Sequence, residues 1–269
     1  YERAWREYLQ TLPVSGNPAL PTVSGSDPRY QPGGEGRITI TTPNGAGRLT
    51  LLHNNDGESA LLPIEYSVAP NSGYPNTDTV ALNVGSVAAF KTLADQQITE
   101  AHGAGNAVVN VYAGDAFLAS ATLACSLPPN DSAPVYDAVA QRQIAYDAHI
   151  LGNHEFDYSP DYLERFIRAF DAGDGNGLTQ PFLSSNLDFA AEAGFNDLVD
   201  QDGLIVGQTT DGRVVAHSLI MTDTTQRFGI VGATTPQLPN ISSPRNVTVT
   251  ATITETAAMV QQEIDRLYD

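Results

Sequence analysis

The sequence predicts a layered α/β fold, and three observations carry that expectation. From residue 48 onward, short apolar runs of strand length alternate with stretches of helical periodicity. Three of those apolar runs end in loops crowded with Asp, Asn, Glu or His, as happens where loops gather at the carboxyl ends of strands. The composition is globular: 269 residues, 41% apolar and 8% aromatic, enough for one large or two small domains with an ordinary core.

Taken in order, residues 1–12 place Tyr1, Ala4, Trp5, Tyr8, Leu9 and Leu12 at helical spacing, and Pro13 ends that helix. Residues 13–36 are rich in Pro, Gly and Ser without periodicity and read as a linker or an extended arm. Residues 37–42 alternate like a short strand, turned by Pro43-Asn44-Gly45. The chain therefore divides into an N-terminal helix and arm, 1–47, and a module, 48–269.

In the module, 49–53 form an apolar strand leading into Asn54-Asn55-Asp56-Gly57-Glu58-Ser59. Residues 85–100 make an amphipathic helix through Val87, Phe90, Leu93, Ala94 and Ile98, and 107–113 a buried strand that ends at Gly114-Asp115. Helical stretches follow at 116–127 and 135–145. A strand at 146–151 then runs into Gly152-Asn153-His154-Glu155-Phe156-Asp157, followed by a helix at 160–170 and a strand at 181–186. Residues 203–206, 213–221 and 226–233 read as strands. The last helix, 250–268, carries Ala257, Val260, Ile264 and Leu267 on one face.

Charge narrows the partners. The net formal charge is −18, from 31 Asp and Glu against 13 Lys and Arg, with Lys91 the single lysine. Such a surface repels nucleic acid polymers and anionic membranes, which excludes both as primary partners. It also repels small anions unless bound cations invert the local field, so a phosphorylated substrate implies a metal site. No apolar run reaches the length of about eighteen residues that membrane insertion needs. Tyr1-Glu2-Arg3 is neither an initiator Met nor a signal peptide, and a piece of a longer protein is expected. Cys125 stands alone in the apolar stretch 117–127 and is expected as a buried, inert thiol.

Taken alone, Gly152-Asn153-His154-Glu155 reads equally as an active-site loop or as a helix start with a satisfied histidine. The loops at Asp56 and Asp115 change the balance. Oxygen and nitrogen donors at three successive strand ends suit divalent cations held by Asp, Glu, Asn and His.

The order Asn-Asp, then Ala-Gly-Asp, then Leu-Gly-Asn-His-Glu-Phe-Asp resembles the calcineurin-like metallophosphoesterases, and specifically their 5′-nucleotidase branch. Tyr146-Asp147-Ala148-His149, Pro181-Phe182-Leu183-Ser184-Ser185-Asn186 and the run Phe228 to Pro236 support the resemblance, which covers residues 48–269. It implies the first half of an α-β-β-α sandwich and a metal-dependent phosphomonoesterase that uses two divalent ions and a bridging water. It further implies that Asp56 ligates the first metal, that Asp115 bridges both, that Asn153 ligates the second, and that His154 faces the scissile phosphate. Calcium, manganese, magnesium, zinc and iron all fit such a set. The resemblance implies export to the periplasm, the cell surface or the medium.

Two departures from the family pattern matter. Glu58 stands where the family carries His, which turns preference toward harder ions such as calcium, magnesium or manganese if it is a ligand, and otherwise faces solvent. The later Gly-His motifs are absent from a chain whose histidines are His53, His102, His149, His154 and His217, so the rest of the site is expected from later residues or another chain. The competing reading is a surface or adhesive module that keeps the fold without the chemistry, with calcium as a structural ion.

The remaining signals read as structural. His53 is a packing or supporting residue, His149 a buried strand residue, His102 a helix-terminal residue and His217 a strand residue. Residues 171–177 read as a surface turn rather than a calcium loop. Asn130, Asn240 and Asn246 fit glycosylation sequons. Glu155 and Asp157 either cap the following helix or orient His154, with orientation favoured.

Overall fold

The strands at the candidate loops lie side by side. A computed structural model describes residues 22–23, 36–41, 47–69, 79–129, 132–171, 180–200, 204–205 and 213–268. The expected helix 1–12, the turn at 43–45, most of the arm, the turn after Asp171 and the sequon at Asn130 lie outside the described residues.

In chain order the strands are β1 (Thr22–Val23), β2 (Gly36–Thr41), β3 (Arg48–Asn54), β4 (Ile64–Val68), β5 (Val80–Val84), β6 (Ala107–Tyr112), β7 (Ala148–Ile150) and β8 (Phe182–Leu183). They continue as β9 (Leu187–Asp188), β10 (Val199–Asp200), β11 (Leu204–Ile205), β12 (Val215–Ala216), β13 (Ser218–Asp223), β14 (Gln226–Val231) and β15 (Thr248–Val249). The helices are α1 (Val87–Gly103), α2 (Ala121–Ala124), α3 (Tyr136–Gln141), α4 (Ser159–Arg168), α5 (Leu238–Ile241) and α6 (Ile253–Tyr268).

Among the described residues the main sheet has eight strands in the order β1-β2-β3-β6-β7-β8-β12-β10. From β3 to β10 the pairings are parallel, whereas β1 and β2, from the arm, extend one edge antiparallel. A second sheet, β11-β13-β14, carries the more β-like segment after residue 203. This is the expected α/β class with a central parallel sheet. β6 is apolar on both faces because both faces are covered, as parallel sheets require.

The core joins the sheet to α4. That helix buries Pro160, Tyr162, Leu163, Phe166 and Ile167, one continuous stripe at 3- and 4-residue spacing. Asp161 in its first turn and Arg165 and Arg168 in its last complement the helix dipole. Phe117, Phe156, Phe166, Phe182 and Phe195 are all fully buried, each contributing about 2 kcal/mol or more by removal from water.

Several expectations shift. The helix expected at 116–127 contracts to α2, which starts after Ser120, whose extended backbone and hydroxyl bond from Leu123 N–H cap it; the N–H groups of Ala116 and Leu118 donate to Glu155 Oε1 (2.6 Å) and Ser59 Oγ (3.3 Å). With the helix shortened, Cys125 falls at its C-cap and is exposed, not buried; its thiol donates to Ala121 O at 3.3 Å. In α1 the expected face packs on the core through Val87, Phe90, Ala94 and Ile98, joined by buried Ala101, whereas Leu93 is half exposed. The hairpin β4–β5 occupies a stretch with no expected element, although Ile64, Tyr66 and Val68 alternate with Glu65 and Ser67.

Candidate active site

β3, β6 and β7 are adjacent and parallel, so the loops that follow them meet above one edge of the sheet. Backbone bonds sew the first loop to the second: the N–H groups of Asp56, Glu58 and Ser59 donate to the carbonyls of Gly114 (3.0 Å), Asp115 (3.2 Å) and Ala116 (3.2 Å). Tyr112, at the end of β6, accepts from Gly57 N–H at 2.8 Å and donates to Asp115 O at 3.1 Å. Beneath it, Tyr146 donates to Asn54 Oδ1 at 2.6 Å.

Glu155 sews the second loop to the third. Its carboxylate, 2% exposed, accepts from the N–H groups of Gly152 (2.7 Å), Asp115 (3.0 Å) and Ala116 (2.6 Å). Burial pushes its pKa up to about 7, with the nearby Asp115 charge adding to the rise and the three N–H groups opposing it. Gly114, at φ 99°, passes so close to Gly152 that a Cβ there would stand 2.8 Å from Gly152 N and Cα.

Three of the candidate ligands, with Ser59 beside them, sit on strained backbone, whereas Asn153 (φ −83°) does not. Asp56 (φ 53°), Glu58 (φ 47°), Ser59 (φ 60°) and Asp115 (φ 63°) all lie in the left-handed region, where a non-glycine residue is held only by its surroundings. Burial raises the pKa of Asp56, the charges of Asp115 and Glu58 raise it further, and His154 lowers it. Asp56, Asp115, Glu58 and His154 are therefore within electrostatic reach of one another. Asn153 stands at the N-cap of the single 3₁₀ turn His154–Phe156 without capping it through its side chain.

His154 is oriented twice. Its backbone N–H donates to Asp115 Oδ1 at 3.0 Å, and its Nδ1 donates to Asp157 Oδ2 at 2.6 Å. Asp157 is fixed in turn by Ser242, whose hydroxyl donates to Oδ1 at 2.9 Å. Burial opposes the imidazolium, but the Asp157 hydrogen bond and the charges of Asp115, Asp157 and Glu58 outweigh it, and the pKa rises above its ordinary value. Asp157 thus orients His154, while Glu155 does something the sequence did not signal: it ties three loop backbones together.

The fit to metal is partial. Carboxylate and amide oxygens suit hard divalent cations, and the mutual repulsion of Asp56, Asp115 and Glu58 is what a cation would relieve. Among the described residues, however, no group of three or more His, Cys, Asp or Glu side chains converges closely enough to hold a metal ion by itself. His53 and His149 lie in β3 and β7. His149 is 2% exposed and stacks on Phe182 at 4.8 Å. His102 pairs with Asp223 at 2.9 Å and His217 faces Glu263 at 3.5 Å, so neither joins the loop cluster.

Sequence reasoning passed over three supporting residues. Tyr112 reads as core, and its hydroxyl bridges two loops. Thr234, in the run after β14, donates to Leu151 O at 2.7 Å and so anchors the third loop from behind. Asn186 holds Thr234 from both sides, donating to Thr234 O and accepting from Thr234 N–H, each at 2.8 Å. The runs containing Asn186 and Thr234 were visible as motifs, without a role.

No protein-family model matches the chain, and no curated protein matches it. Solved structures match its fold. A 5′-nucleotidase precursor from Thermus thermophilus superposes with a TM-score of 0.57 at 24% identity, over 82% of this chain and 34% of its own. NAD nucleotidase from Haemophilus influenzae gives 0.56 at 20% identity, over 82% and 32%. A sulfate thiohydrolase, also from Thermus thermophilus, gives 0.52 at 14% identity, over 82% and 42%. The chain thus spans about a third of the length of the two nucleotidases. Over 82% of its length, the chain shares the α/β fold of these structures.

Proposed function

We propose that this chain is part of a metal-dependent phosphoester hydrolase of the 5′-nucleotidase kind, acting on a phosphorylated small molecule outside the cytoplasm. The observation that carries the proposal is the meeting of Asp56 and Asp115 at adjacent strand ends, with His154 held beside them by Asp157. Asp56, Asp115, Asn153 and Glu58 would hold two divalent ions, of which calcium, magnesium, manganese and zinc are the candidates. When bound, such ions supply charge neutralisation and lower the pKa of an attacking water. Because the chain spans about a third of the nucleotidase neighbours, the remaining ligands and the groups that grip the rest of the substrate are proposed to come from residues beyond it.

The chain's own residues have defined tasks. Asp157 takes the Nδ1 hydrogen, which leaves Nε2 of His154 to donate to a phosphoryl or leaving-group oxygen. The Asp157 hydrogen bond and the neighbouring carboxylates favour the doubly protonated ring, in which Nε2 carries that proton. Glu155 and the Gly114–Gly152 contact hold the loops in one register, so that ligands from three strand ends share one geometry.

The test is phosphate release by the full-length protein from a nucleoside monophosphate and an aryl phosphate, across calcium, magnesium, manganese and zinc. Metal-dependent release that Asp115→Asn or His154→Ala reduces by about 10²-fold or more supports the proposal; release unaffected by either substitution sinks it. The absence of a self-sufficient metal cluster among the described residues favours one rival: a module that keeps the fold without the chemistry. No release with any metal, from a folded protein, selects that rival.

A further inference from the structure

A cavity of about 450 Å³ lies between the first loop, the start of α1 and the end of β6. Its walls include Phe90 and Leu93 of α1 together with Leu61, Tyr112, Ile144 and Tyr146. That volume falls in the range of small-molecule sites, which are mostly apolar with a few placed polar groups. Both tyrosine hydroxyls are already committed, Tyr112 to Gly57 and Asp115, Tyr146 to Asn54. What their rings give the cavity is therefore apolar surface, and the two meet edge to face at 5.4 Å. Leu93, which is half exposed, adds to that surface.

One polar group on the wall is unpaired. Gln141, the last residue of α3, is 5% exposed and lines the same cavity. Its Nε2 donates to Ala116 O at 3.4 Å, which fixes the orientation of the amide, and its Oε1 has no hydrogen-bond partner. A buried acceptor left without a donor costs about 1–3 kcal/mol, which a donor brought by a ligand recovers. Water can supply that donor, but it leaves the aromatic walls wet, and a flat ring does not. Charge restricts the ligand further. Among the described residues the cavity has Asp56 on its wall and no Lys, Arg or His, so it repels anions.

We propose that this cavity binds an uncharged aromatic ring carrying an N–H donor, with the ring against Phe90, Tyr112 and Tyr146 and the N–H on Gln141 Oε1. None of these four residues is a proposed metal ligand, so binding there stands apart from the proposed hydrolysis. The bound ring touches Asn54 to Gly57, the loop that carries Asp56.

Ligand-observed NMR titration of the protein in EDTA tests the site without any metal. The probes are indole, its N–H-free isostere benzofuran, and benzoate. Indole should bind saturably with a Kd on the order of 1 mM or tighter, as the affinity per atom of a small ligand allows. Benzofuran should bind about fivefold more weakly, the value of one hydrogen bond, and benzoate more weakly still. Gln141→Leu should reduce indole to the benzofuran level, and Ala89→Trp, which fills the cavity from an exposed position on α1, should abolish binding of both. No saturable indole binding below about 10 mM overturns the proposal, as does binding that Ala89→Trp leaves intact. Equal affinities for indole and benzofuran overturn the role of Gln141, and they decide that point on the wild type should Gln141→Leu fail to fold. Benzoate bound as tightly as indole overturns the restriction to uncharged rings.

Discussion

At Glu58 the backbone is held at φ 47°, a conformation that costs an ordinary residue about 1 kcal/mol and glycine almost nothing. Asp56, Ser59 and Asp115 carry the same strain, which is repaid by the hydrogen bonds from the first loop to the second. Glu58→Gly is therefore expected to raise stability by about 1 kcal/mol in urea unfolding, and to weaken manganese binding because Glu58 is a proposed ligand. Unchanged manganese affinity in that variant would remove Glu58 from the ligand set. At this scale the sequence was legible where chemistry-bearing residues end a strand, as Asp56, Asp115 and His154 do. It was silent on Glu155, whose partners Asp115 and Ala116 lie 40 and 39 residues away, and on Tyr112, which looks like any core aromatic until its hydroxyl is placed.

Among the elements, the parallel pairing of β3, β6 and β7 brings the three loops together, and the Gly114–Gly152 contact sets how closely they approach. Gly114→Ala combines a left-handed φ of 99° with a Cβ 2.8 Å from Gly152 Cα and N. It should cost about 2–4 kcal/mol and lower metal affinity, checked by urea unfolding and by manganese titration of the folded fraction. Unchanged values for both would show that the two loops can separate without loss. Element order was readable because apolar runs and helical periods alternate cleanly from residue 48. Boundaries were less so. Residues 116–120 precede α2 as a loop whose Ala116 and Leu118 N–H groups donate to Glu155 and Ser59, long-range partners that no local pattern records.

For the whole molecule, the buried titratable groups give stability a pH dependence. His149, fully enclosed by Phe170, Phe182, Tyr146 and Tyr112, has its pKa lowered by burial to about 4. The unfolded chain protonates this residue near 6.5 and the folded chain does not, so His149 removes stability as pH falls from 6.5 toward 4, by roughly 3 kcal/mol at the end of that window. Asp137 and Asp147, each lifted to about 6 by burial, act in the opposite direction over a similar range. Comparing His149→Phe with the wild type isolates the histidine: the variant should gain relative stability from pH 6.5 down to 4, and no further change should appear above pH 7. A pH-independent difference between the two would show that His149 titrates normally.

Asp56 and Asp115 are proposed to form the core of a divalent metal site. Calorimetric titration of manganese into the wild type and Asp115→Asn, with unfolding curves confirming that both are folded, addresses it most directly. Saturable binding to the wild type that Asp115→Asn weakens by at least about tenfold, or 1.4 kcal/mol, is expected. Equal binding by the two proteins, or none by the wild type, would contradict it.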